Sequence, residues 1–185
     1  MKNKDSLVYT SVVLTAICAG VALLLAAVYM FTAPRIAAKE AAEKEAAIKS
    51  LIPDLVSYES VDIKAINENI SGVSGLFVVQ TDEKEILCVE VAPKGFSDSI
   101  KMIVAIDLDL KVIGVKVLSH TETAGVGTRI NNEDFLQSFF GINKSTLDSG
   151  VDTISGATVS SLAVKKGVHT SLDAAESYAK AKITE

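Results

Sequence analysis

The sequence predicts an α+β domain carried behind a single N-terminal transmembrane helix. Three observations carry that class. No charged residue lies between Asp5 and Arg35, and Leu7–Phe31 is almost wholly apolar. Four short apolar, β-branched runs separated by polar turns follow between Leu76 and Leu118. A long segment, Val159–Ala181, then repeats apolar residues at helical spacing. Strands followed by helices point to an antiparallel sheet with helices packed on one face.

The N-terminal stretch is long enough to cross a hydrocarbon core of about 30 Å as a helix. A cleaved signal peptide is the first alternative, since Lys2 and Lys4 form a short positive start. Against it, the apolar run exceeds the usual core of a signal, and Pro34 follows Ala33, the one plausible cleavage residue. A lipoprotein signal at Cys18 is opposed by the bulk of Ile17 before it. The reading is therefore a tail at 1–6, a span at 7–33, a stalk at 34–53 and one domain at 54–185. Charge bias does not orient the span, because Lys2 and Lys4 precede it while Arg35, Lys39 and Lys44 follow.

Arg35–Ile52 is rich in Ala, Glu and Lys, which are strong helix formers. Glu40/Lys44 and Glu45/Lys49 are spaced i,i+4 in the favourable order. Ile36, Ile48, Leu51 and Ile52 add a weak apolar stripe, and the helix should stop before Pro53. A charged run of this kind reads as a solvated face. Leu76–Thr81 and Ile86–Ala92 read as strands about a polar turn, Thr81–Glu85. Ile100–Ile106 and Val112–Leu118 form a second pair about Asp107–Lys111. A short helix is expected over Asn132–Phe140, capped by Asn131 or Asn132, with Phe135, Leu136, Phe139 and Phe140 facing inward. Ser145–Gly150 reads as a loop. In the last helix Val164, Val168, Leu172, Ala175 and Ala179 form the buried stripe.

Several chemistries are disfavoured. Cys18 lies in the span and Cys88 in a strand, with no Cys-x-x-Cys, so neither an iron–sulfur cluster nor a zinc site is signalled. His120 and His169 have no metal-ligand spacing. A net charge of −5 argues against a nucleic-acid partner. The span holds no carboxylate, so this chain alone should not pump ions.

The informative segment is Asp152-Thr153-Ile154-Ser155-Gly156-Ala157-Thr158-Val159-Ser160-Ser161. It sets small hydroxyl residues around a glycine at the start of a helix. Unpaired N–H groups and the positive dipole end make such a place a natural phosphate site. Gly156 and Ala157 would let a phosphate come close, with the Thr158 hydroxyl beside it. Read from residues alone, a plain helix cap explains the same pattern. No Walker loop or dinucleotide fingerprint is present.

Asp152–Ser161 resembles the flavinylation motif of FMN-binding domains, an acidic residue and short spacer followed by Ser-Gly-Ala-Thr. His120-Thr121-Glu122-Thr123-Ala124-Gly125-Val126-Gly127 resembles the same family's His-x-Glu-Thr-Pro-Gly-x-Gly loop, with Ala124 in place of proline. Gly95–Ile100 loosely resembles its Gly-Tyr-x-x-x-Ile element, with Phe96 for tyrosine. Two ordered motifs about 30 residues apart, behind an anchor, make the whole chain resemble the G subunits of Rnf ion-translocating electron-transport complexes. The C subunit of the sodium-pumping quinone reductase shares the motif and is an alternative. A membrane-tethered binding or sensory domain without flavin is another.

The resemblance implies an electron-relay subunit between ferredoxin and NAD, with FMN joined through its phosphate to Thr158 by a flavin transferase. It implies further membrane and peripheral subunits, a bilayer partner, and a domain on the outer side of a bacterial inner membrane. Ser155, Gly156, Ala157, Ser160 and Asp152 would frame the attachment. His120, Glu122, Thr123, Gly125 and Gly127 would lie near the flavin ring, with the Gly125 and Gly127 N–H groups as donors. His120 reads more naturally as a loop-fixing hydrogen bonder than as a proton donor.

Overall fold

A computed structural model describes residues 2–62, 72–82 and 84–184. The turn expected at Thr81–Glu85 is seen except for Glu83, which lies outside the described residues, as does Met1 of the tail. The chain divides into two compact units, Met1–Glu43 and Lys44–Glu185.

The first unit is the bulk of one helix, α1 (Lys2–Leu51). Pro34 lies inside it. Proline removes one N–H from the helical ladder, yet the helix continues past it to Leu51, short of Pro53. Side chains from Val8 to Phe31 are exposed, and this is the one helix, among the described residues, long and apolar enough to cross a membrane.

The second unit is built on a five-stranded sheet: β1 (Leu55–Val61), β2 (Val73–Thr81), β3 (Glu85–Val91), β4 (Lys101–Asp107) and β5 (Val112–Ser119). Neighbours in sequence are neighbours in space, in the order β1-β2-β3-β4-β5, all antiparallel. Leu87 sits between Val78 and Ile106, which sets the register of the central strands. The β4–β5 turn is closed by Asp107, whose carboxylate accepts from the Lys111 N–H at 2.8 Å. Strand β1 is an addition to the expected set. Its five central residues are all exposed, so no in–out alternation marks it.

After β5 come a 3₁₀ turn (Gly127–Asn131), α2 (Glu133–Gln137), α3 (Leu147–Gly150) and α4 (Thr158–Thr184). Asn132 caps α2, its side chain accepting from the Asp134 N–H at 3.1 Å. The helix is shorter than expected, and Phe140 is 70% exposed rather than inward, because the chain has already left the helix there. Phe135 and Phe139 are buried edge to face, with ring centres 5.3 Å apart. The segment read as a loop at Ser145–Gly150 contains α3, one short turn with Leu147 buried beneath it.

Helices cover both faces of the sheet, not one. On the first face Val164, Val168, Leu172 and Ala175 of α4 pack against Leu76, Leu87, Val89, Met102 and Val104. On the second, Ala47, Ile48 and Ile52 pack against Val79, Ile86, Cys88, Ile103 and Ala105. Each fully buried aliphatic side chain contributes roughly 1.5–3 kcal/mol. Burial on both sides explains why β3 and β4 read as near-continuous apolar runs. Lys44 adds an ion pair to Glu90 of β3 at 2.7 Å and lies 5.3 Å from the centre of the Phe77 ring. The weak stripe expected in this charged segment therefore supplies one wall of the core through Ile48 and Ile52.

Candidate functional site: a pocket at the mouth of the last helix

Three segments meet at the N-terminal end of α4. One is the turn between β3 and β4, closed by Gly95 N–H to Asp98 carbonyl at 2.8 Å and Ile100 N–H to Pro93 carbonyl at 2.9 Å. The second is the loop leaving β5, His120 to Gly127. The third is the turn that feeds α4, Ile154 to Ala157. Between them lies a cavity of about 330 Å³ lined by Phe96, Glu122, Thr123, Val126, Gly127 and the run Gly156–Ser160. That is near the lower end of the usual ligand-pocket range, about 300–1,000 Å³.

Glu122 organises the meeting point. It is 6% exposed. One carboxylate oxygen accepts from the Ser97 N–H at 3.0 Å, and the other accepts from the Ser160 hydroxyl in a short hydrogen bond. Burial alone would raise its pKa. The Ser160 hydroxyl and the N–H groups of Ser97, Phe96 and Asp98 outweigh that and hold it below the ordinary glutamate value. One side chain thus ties the β3–β4 turn to the first turn of α4. Gly127 makes this possible: a Cβ there would stand 2.7 Å from the Glu122 Cβ.

His120 anchors the start of the loop. Its Nδ1 accepts the Glu122 N–H at 3.3 Å, and its Nε2 lies 3.0 Å from the Asn131 amide. A neutral imidazole has one donor and one acceptor. The Asn131 Nδ2 is the atom facing Nε2, so the tautomer decides which of the two contacts is a full hydrogen bond. The N–H groups of Gly125 and Gly127, expected as flavin donors, are taken up inside the loop by the Thr128 hydroxyl at 3.0 Å and the Thr123 carbonyl at 2.8 Å. They hold the turn.

The turn into α4 is also held internally. Gly156 has φ +82°, a left-handed conformation that side chains resist. Ala157 N–H reaches the Ile154 carbonyl at 2.9 Å. Ser161, fully buried, accepts the Ile154 N–H at 3.1 Å and donates to the Ala157 carbonyl at 2.9 Å. Arg129 donates to the Ser155 carbonyl at 2.9 Å. The pattern around Ser155-Gly156-Ala157 is therefore not a side-chain cap by Ser155 or Thr158; Ser161, from one turn inside, braces it.

Thr158 is left over. It is exposed, lines the cavity, and its hydroxyl has no hydrogen-bond partner among the described residues. The first N–H groups of α4 have no helical acceptors, and Thr158, Val159 and Ser160, which carry them, line the same space. The structure brings Thr158 together with Glu122, Thr123, Gly127, Gly156, Ala157 and Ser160. It leaves Asp152 and Ser155 in a neighbouring cavity of about 400 Å³ with Arg129 and Asp134, while His120 and Gly125 line neither. Phe96 (68% exposed), Val126 and Val159 supply an apolar rim. Sequence reasoning misses Val126 and Val159 as rim residues; adjacency to the two motifs is the available signal. No group of His, Cys, Asp and Glu able to hold a metal occurs among the described residues.

Residues 95–173 match the family model of the FMN-binding domain, and residues 1–51 match that of the RnfG N-terminal region. The G subunit of a proton-translocating ferredoxin:NAD(+) oxidoreductase complex from Clostridium ljungdahlii is 28% identical over 176 residues, covering 90% of each chain. The G subunit of an ion-translocating oxidoreductase complex from Methanosarcina acetivorans is 29% identical over 180 residues, covering 93% and 94%. The chain is thus similar to such G subunits over about nine-tenths of its length. Its fold is shared with two solved structures. NqrC from Shewanella oneidensis matches with TM-score 0.52 and 18% identity over 69% of this chain and 87% of that one. The C subunit of the Na(+)-translocating NADH-quinone reductase from Parabacteroides distasonis matches at 0.50 and 17%, over 68% and 78%. The family's FMN-binding region contains the whole pocket, from Phe96 to Ser160. The residues present suit FMN: free N–H groups and a free hydroxyl for the phosphate, an apolar rim for the ring.

Proposed function

We propose that this chain is the electron-relay subunit of a membrane-bound, ion-translocating oxidoreductase complex of the ferredoxin/NAD type. It carries FMN joined by a phosphoester to Thr158. The single observation that carries the attachment is the solvent-facing Thr158 hydroxyl, without a partner among the described residues, at the mouth of α4 and on the wall of the pocket. An acceptor hydroxyl must be reachable and uncommitted, whereas the neighbouring Ser160 and Ser161 hydroxyls are buried and bonded.

Bound FMN supplies electron transfer at its ring system. The protein's part is position and electrostatics. The N–H groups of Thr158, Val159 and Ser160, with the positive end of the α4 dipole, favour a phosphate at that spot. Phe96, Val126 and Val159 offer apolar contact to a flat ring, and the Thr123 hydroxyl offers a hydrogen bond at its edge. A covalent tether keeps the cofactor where free FMN is too dilute to fill a reversible site.

The G-subunit family places such chains in multi-subunit complexes, and we extend that to this one, with a flavin transferase acting during maturation. The helix over 7–33 spans the bilayer once, 34–53 forms a stalk, and the domain stands on the extracytoplasmic side. Co-production of the chain with a flavin transferase tests the attachment. The denatured band should fluoresce as flavin under ultraviolet light in the native protein and be dark in Thr158→Ala. Thr158→Ser should keep part of the signal, because a primary hydroxyl still forms the ester. A fluorescent alanine variant would move the site elsewhere.

A further inference from the structure

Glu122 is a buried carboxylate on the wall of the flavin pocket whose charge nothing in the relay reading uses. No basic side chain lines that pocket among the described residues. Both oxygens of Glu122 accept hydrogen bonds, from the Ser97 N–H and from the Ser160 hydroxyl. These are neutral donors, so the carboxylate keeps its full negative charge. A charge that faces a cavity from a buried position is poorly screened by solvent.

We propose that Glu122 sets the reduction potential of the flavin, holding it low by placing a fixed negative charge against the ring. The inference rests on FMN occupying this pocket. Two electrons arriving at the ring with a single proton leave it with one net negative charge. Repulsion from Glu122 disfavours that product and leaves the oxidised, neutral ring untouched. Ser160 and the β3–β4 turn act through Glu122: their dipoles keep it ionised and partly offset its field. A low potential suits a relay fed by a strongly reducing donor.

The test is a potentiometric titration of the full-length, flavin-loaded protein in detergent, comparing native chain, Glu122→Gln and Ser160→Ala. Glutamine keeps the shape and removes the charge. Its reduction equilibrium should shift toward the reduced form by about tenfold or more, about 30 mV upward for a two-electron couple. At about pH 8, far above the ordinary glutamate range so that Glu122 stays ionised, removing the Ser160 hydroxyl removes only an offsetting dipole, and that variant should shift downward. A purely structural role would loosen the pocket in both and move them the same way. Covalent flavin present in Glu122→Gln with an unchanged or lowered potential overturns the inference. If Glu122→Gln does not accumulate folded, Ser160→Ala decides alone: a lowered potential supports the charge effect, and an unchanged or raised one overturns it. A native chain without bound flavin would instead remove the relay reading itself.

Discussion

At the scale of single residues, the site is a division of labour among hydroxyls within one turn of helix. Ser161 braces the turn, Ser160 holds Glu122, and Thr158 alone is free among the described residues of that turn. The sequence shows which residues cluster but not which are committed, because the Ser160 hydroxyl is taken up by Glu122, 38 positions away. Gly125 and Gly127 look like free donors in the sequence, yet their N–H groups close the loop locally on Thr128 and Thr123. Gly156→Ala should cost about 1–3 kcal/mol from its left-handed backbone alone, since nothing lies within 4 Å of the added carbon. Chemical denaturation of the flavin-free protein measures this. Glu122 also fixes an acid limit. Its folded pKa is lowered, so its contribution is complete above the unfolded value, about 4.3, and is lost as pH falls from there through the folded value. Thermal unfolding followed from pH 7 to pH 3 should show a decline that Glu122→Gln flattens; an unaltered slope would deny the carboxylate that role. Burial of Cys88 pushes its thiol up to about 12, which keeps it protonated at neutral pH.

At the scale of elements, strands β2 to β5 and the last helix are legible in the sequence because their patterns are strong. In α4 the stripe Val164, Val168, Leu172 and Ala175 is buried as spaced. Its far end is pinned by Lys182 to Glu85 at 2.6 Å and Tyr178 to Glu85 at 3.2 Å. Strand β1 carries no such pattern, and its pairing with β2, Tyr58 opposite Val79, is decided by the sheet edge that β2 offers. The end of α1 misleads for a different reason. A charged sequence hides a narrow apolar stripe, and Ile48 with Ile52 is enough to close the second face of the sheet. A domain fragment starting at residue 54 should therefore be unstable, exposing Val79, Ile86 and Ile103, whereas one starting at 44 should fold. Size-exclusion profiles and melting curves of the two fragments distinguish them. Ile48→Ala, at a fully buried position, should cost about 2–5 kcal/mol.

At the scale of the whole molecule, the proposal joins a membrane-spanning helix, a sheet domain and the Thr158 hydroxyl into a subunit that would hold a redox group at a membrane. The α+β class and the single span follow from patterns any reader of the sequence can see. The side of the membrane does not, because the flanking charges nearly balance. Protease added to intact spheroplasts should digest the domain; digestion only after lysis would place it inside. The relatives' place in multi-subunit complexes motivates the proposed assembly, while the pocket gives the physical argument for FMN: the start of α4, an apolar rim and the Thr158 hydroxyl on one wall. The most direct measurement is peptide mass mapping of full-length protein produced together with a flavin transferase. The peptide bearing Thr158 should carry the mass of FMN less one water, with Ser155, Ser160 and Ser161 unmodified. An unmodified Thr158 in flavin-loaded protein would contradict the account.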